Sequence, residues 1–119
     1  MIGSGDGHVY CFRGSDGKQV WRTRLGKAVG LLGGGVGSSA ALYRDQPGKM
    51  VAAVGGPDAM WGLDAETGAV RWHWAAPSGE MFGSSPAVRA GKLYVGGEDG
   101  YLYALQLPSG EGERTEARR

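Results

Sequence analysis

The stretch Ser84-Ser85-Pro86-Ala87-Val88-Arg89-Ala90-Gly91-Lys92-Leu93-Tyr94-Val95-Gly96-Gly97-Glu98-Asp99-Gly100-Tyr101-Leu102-Tyr103-Ala104-Leu105 decides the fold. It parses as short strands joined by tight turns. A first strand is expected from Ser84 to Val88, and Ala90-Gly91 turns the chain into a second, Lys92 to Gly96. Glu98-Asp99-Gly100 makes the next turn, because Gly100 can take the positive φ that a hairpin loop demands. The third strand, Tyr101 to Leu107, is largely apolar on both faces. That pattern suits an inner strand of stacked sheets.

The same unit recurs along the chain. Ile2-Gly3-Ser4-Gly5-Asp6-Gly7-His8-Val9-Tyr10 matches it from the front, and Val54-Gly55-Gly56-Pro57-Asp58-Ala59-Met60-Trp61-Gly62-Leu63 from the middle. Trp21 and Trp72 lie 51 residues apart, and Leu63 and Leu105 lie 42 apart. Gly37-Ser38-Ser39 returns as Gly83-Ser84-Ser85 after 46 residues. Repeats of about 40 to 50 residues are the length of one four-stranded β-propeller blade. The turn Asp64-Ala65-Glu66-Thr67-Gly68 is expected to be held by Asp64 accepting backbone N–H bonds and closed by Gly68 at positive φ. Trp72 follows four residues later, a rigid ring suited to the gap between neighbouring sheets.

Composition agrees. Glycine fills 24 of 119 positions, which argues against helices, where each glycine costs about 1 kcal/mol relative to alanine. The length fits one domain, and 41% hydrophobic with 21% charged residues is ordinary for a globular one. A net charge of +1 gives no nucleic-acid footprint; Arg13, Lys18, Arg22, Arg24 and Lys27 cluster, but Asp6 and Asp16 flank them. Cys11 stands alone, so no intrachain disulfide or cysteine-rich metal site can form. The longest uncharged run, Ala28 to Tyr43, is shorter than a bilayer span of about 20 residues, and no signal-peptide pattern is legible at the start.

These residues resemble the PQQ-like β-propeller repeat of quinoprotein alcohol dehydrogenases and of related non-enzymatic, outer-membrane-assembly-type propellers. The resemblance rests on Ser84 to Leu105 and on Leu63-Asp64-Ala65-Glu66-Thr67-Gly68-Ala69-Val70-Arg71-Trp72, and it covers about residues 2–110. Departures occur at Arg13 and Asp16, at Pro57-Asp58-Ala59, and at Gln106, Ser109 and Arg114, the last where a tryptophan would fall. The expected fold is all-β: an incomplete propeller of about two and a half four-stranded antiparallel blades. Residues 1–110 form it, in units of about 1–36, 37–82 and 83–110. The third unit is expected to lack its fourth strand, and 111–119 to be a disordered polar tail.

Such a segment leaves end blades uncovered. Two arrangements are open: a piece of a larger propeller protein, or several copies closing a ring. The resemblance implies a non-enzymatic scaffold or protein-interaction surface. Its partners would be the remaining blades, further copies of itself, or other proteins, with no nucleic acid. It also implies a periplasmic or other extracytoplasmic setting. The alternative is a fragment of a PQQ-dependent alcohol dehydrogenase. Those enzymes hold PQQ with calcium on the propeller axis, often against an adjacent-cysteine disulfide, which a single cysteine excludes here.

No catalytic, cofactor-binding or metal residues are expected, and no cofactor. Gly35, Gly37 and Ala40 spell G-x-G-x-x-A within the cluster Gly33-Gly34-Gly35-Val36-Gly37, but a dinucleotide site needs a following helix. Ser39 and Ser85 approach a nucleophile elbow, yet occupy equivalent points in two repeats, so a structural role is expected. His8 and His73 have no ligand spacing. Asp6, Asp16, Asp64 and Asp99 adjoin turns and are expected to cap them. Trp21 and Trp72 resemble blade-docking tryptophans, no cofactor role is supported for Trp61 or Trp74, and Cys11 is expected to be a buried, inert thiol.

Overall fold

The computed structural model describes residues 1–25, 36, 38–75, 77, 84–107 and 111–116. Among them there are strands and turns and no helix. Eleven strands run in chain order: β1 (Ile2–Gly3), β2 (His8–Phe12), β3 (Gln19–Arg24), β4 (Ala41–Gln46), β5 (Lys49–Gly55), β6 (Ala59–Asp64), β7 (Val70–Ala75), β8 (Ala87–Arg89), β9 (Lys92–Gly96), β10 (Tyr101–Gln106) and β11 (Glu111–Glu116). They form three sheets, β1-β2-β3, β4-β5-β6-β7 and β8-β9-β10-β11, in each of which sequence neighbours pair. Every pairing is antiparallel, the up-and-down meander of a propeller blade.

The turns follow from their residues. Asp64 Oδ1 accepts the N–H groups of Glu66 (2.9 Å) and Thr67 (3.1 Å), and Gly68 closes the loop at φ 79°. Gly100 takes φ 86°, and the Ala90-Gly91 turn puts even the alanine at φ 51°. The strand expected at Ser84–Val88 begins later, at Ala87. Ser84 instead spends its hydroxyl on β9, donating to the Gly96 carbonyl and accepting its N–H, both at 2.9 Å.

One expectation is corrected. The third unit does not lack its fourth strand: residues 111–116, read from sequence as part of a disordered tail, pair along all of β10 from Tyr101↔Glu116 to Gln106↔Glu111. Backbone hydrogen bonding, which needs no apolar side chain, holds this outer strand. The count is therefore three, four and four strands, not three, four and three.

Two apolar cores lie between the sheets. Val9, Trp21, Leu25 and Val36 meet Val54 and Leu63 between the first and second sheets. Ala53 and Met60 meet Leu93, Val95, Tyr103, Leu105 and Leu107 between the second and third. Each sheet contributes one face to a shared core, so each needs its neighbour. Trp21 supplies the lock of the first interface: its indole N–H donates to the Ala65 carbonyl at 3.0 Å, and Thr23 Oγ1 donates to the Gly68 carbonyl at 2.5 Å. The seat is tight, because a Cβ on Gly68 would come within 2.5 Å of the Trp21 ring.

Candidate functional site

The polar side chains that sequence singled out are occupied by their own turns. Asp6 accepts the His8 N–H at 2.9 Å, Asp16 that of Lys18 at 3.0 Å and Asp99 that of Tyr101 at 3.1 Å. Asp6 and Asp99 do a second job: each takes a hydrogen bond from the tyrosine four residues on, Tyr10 and Tyr103. The Tyr10 bond pulls the Asp6 carboxyl below its ordinary pKa and raises that of the Tyr10 phenol. Sequence reasoning missed this pair, although the spacing D-G-x-x-Y stands in both repeats. In the second sheet the turn is Pro57-Asp58-Ala59 and the ring is Trp61, whose buried indole N–H has no partner among the described residues.

The remaining candidates are scattered. His8 lies on β2, 3.5 Å from Asp6, while His73 lies on β7 and stacks on Trp61 with centroids 4.9 Å apart. Trp74 meets the edge of Tyr103 at 5.2 Å. Ser85 Oγ accepts the Ser39 N–H at 3.0 Å, which ties the two repeats together. Ser38 Oγ accepts the Gly55 N–H at 3.2 Å, as Ser84 does for Gly96. Cys11 is half-buried beside the first interface, not fully buried as expected. Of the glycine cluster 33–37 only Val36 is described, its N–H bonded to the Ser4 carbonyl at 2.8 Å. Among the described residues, no three groups that could hold a metal ion converge.

One cavity of about 200 Å³ opens between the second and third sheets, lined by Tyr43, Arg44, Asp45, Val88, Gly91 and Leu107. Two of its polar groups are engaged by β7. Tyr43 Oη accepts the Trp72 indole N–H at 2.7 Å, and burial raises the Tyr43 pKa. Arg71 binds Asp45 at 2.5 Å and lies 3.8 Å from Asp64.

The open sheet faces are the larger feature. On the first sheet Ile2 is 60% exposed and Phe12 47% exposed, whereas the corresponding Val54 (1%) and Leu63 (0%) of the second sheet are covered. At the other end Leu102 is 41% exposed, while its counterpart Met60 is fully buried. The rings of Tyr10 and Phe12 stack at 6.1 Å along the first of these faces.

A family model described as "Outer membrane protein assembly factor BamB" matches residues 1–115. The chain belongs to that family. The crystal structure of BamB from Moraxella catarrhalis superposes with a TM-score of 0.70 at 20% identity, over 94% of this chain and 30% of that one. That match gives the fold. A protein of Danio rerio named "Beta-alanine-activating enzyme" is 36% identical over 106 residues, 88% of this chain and 9% of that protein. The chain thus spans only a minor part of the length of both relatives. Among the described residues, no helix is long and apolar enough to cross a membrane.

Proposed function

We propose that this BamB-family chain is a non-catalytic propeller segment that acts as a scaffold, offering its open sheet faces to other protein surfaces. The observation that carries this reading is the exposure of Ile2, Phe12 and Leu102 at positions whose repeats are buried between sheets. Apolar surface in a contiguous sheet face marks an interaction site. The occupants would be further blades, whether from a parent propeller or from additional copies, or another protein. The repeat units run about 1–36, 37–82 and from 83 onward, the last extended to take in β11. The family description, which names an outer-membrane assembly factor, supports a periplasmic or otherwise extracytoplasmic setting.

A second reading has one observation behind it. The 36% identity to a protein named as an activating enzyme suits a propeller that forms a non-catalytic part of a larger enzyme. A quinoprotein role is the third reading to be tested. Tryptophan fluorescence is followed while PQQ and calcium are added, with dye-linked alcohol oxidation measured in parallel. The scaffold reading predicts no saturable quenching and no dye reduction; saturable quenching with turnover contradicts it.

A further inference from the structure

We propose that the cavity between the second and third sheets is a binding site for a small apolar monocarboxylate of benzoate size, held by the Tyr43 hydroxyl and the Arg44 guanidinium. The inference goes beyond the scaffold reading and stands whichever surface covers the end faces.

The cavity lies where the first strands of two sheets come together. Tyr43, Arg44 and Asp45 lie near the end of β4, Val88 lies on β8, and Gly91 turns β8 into β9. Leu107 follows β10, and its N–H on the Gly91 carbonyl at 3.0 Å fixes that wall. Leu107 belongs to the core between these sheets, and Tyr43 and Val88 pack against it. The floor is therefore apolar. At about 200 Å³ the cavity exceeds the roughly 150 Å³ of one that takes benzene, and the surplus suits a carboxylate on such a body.

Ligand sites of this kind are mostly apolar with a few polar groups that fix orientation. Here the unspent polar groups are donors. Tyr43 Oη accepts the Trp72 indole N–H at 2.7 Å, and its own proton has no acceptor among the described residues. A phenol donates as well as accepts, so that proton is left for a ligand. Burial raises the Tyr43 pKa, which keeps the phenol protonated at neutral pH. The carboxylate in the wall, Asp45, is already held by Arg71 at 2.5 Å. Arg44 is exposed and has no carboxylate partner among the described residues. The same is true of Arg89 and Lys92, which pair across the Gly91 turn. Unpaired positive charge at the mouth favours an anion. A guanidinium offers a carboxylate a fork of N–H donors, a bond that a neutral molecule of the same shape forgoes.

Two-dimensional amide NMR titrations of the full chain with benzoate, benzamide and benzylammonium, at fixed pH and ionic strength, test this. Benzoate should give saturable shifts of the Trp72 indole N–H and of the Gly91 and Leu107 amides. Benzamide should bind about tenfold more weakly, the loss of one charge-assisted hydrogen bond, and benzylammonium should leave those signals in place. Arg44→Gln should remove the preference for benzoate over benzamide. The Trp21 indole signal, at the other interface, should stay in place in that variant and so report that the fold is intact. An absence of saturable shifts with benzoate, equal binding of benzamide, or an undiminished preference in Arg44→Gln would overturn the proposal.

Discussion

At the scale of single residues, two glycines with nearly the same φ are predicted to respond differently to one added methyl group. Gly68→Ala costs the left-handed penalty of about 1–2 kcal/mol and drives a methyl into the Trp21 ring, adding about 1–3 kcal/mol of overpacking. Gly17→Ala costs the first term alone, because its Cβ side is open. Urea unfolding of both variants checks this, and equal losses would mean that Trp21 does not rest on Gly68. Asp64 gives a pH prediction. The N–H groups of Glu66 and then Thr67 hold its carboxyl below the ordinary carboxylate pKa in the folded chain. A depressed folded pKa gives stability that is complete above the unfolded value and is lost as pH falls through the folded one. The unfolding midpoint should therefore drop in acid, and Asp64→Asn, which keeps an acceptor oxygen, should flatten part of that slope. An unchanged slope would show that the carboxylate does not organise this turn.

At the scale of elements, β11 decides whether the third sheet ends at β10 or one strand further out. A chain cut after residue 110 leaves β10 with a bare edge, and alternate amides of Tyr101–Gln106 should then exchange faster with deuterium. Unchanged exchange would mean that β11 does not pair. The strand was hidden in the sequence for a physical reason. Glu111-Gly112-Glu113-Arg114-Thr115-Glu116 has no apolar alternation, and an outer strand pairs through its backbone while its charges discourage edge-to-edge association. Turns behave oppositely, since Asp64, Gly68 and Gly100 announce their geometry through residue type. The register shifts at Cys11/Phe12 and Gly62/Leu63 were not legible either. Without such a shift on β11, counting four residues past Gly110 lands on Arg114, whereas the ladder puts Glu113 at the tryptophan position. As for the candidate site, the sequence pointed to capping aspartates, and each does accept its turn's N–H groups. The repeat count already implied uncovered end blades, but not which side chains would be bared, because that depends on which face of each sheet has a neighbour.

At the scale of the whole molecule, the chain is a stack in which stability is shared between neighbours. The second sheet buries both faces, through Val54 and Leu63 on one side and Ala53 and Met60 on the other. The outer two sheets each bury one. Trp21 ties the first sheet to the second by a ring contact with Gly68 and a hydrogen bond to Ala65, 44 residues on. The most direct test is a nuclear Overhauser experiment on the folded chain, read between the Trp21 indole protons and the α-protons of Gly68. Strong cross-peaks with a slowly exchanging Trp21 indole N–H are predicted. Their absence, with that N–H exchanging at the rate of free indole, would contradict a stack of mutually supporting blades.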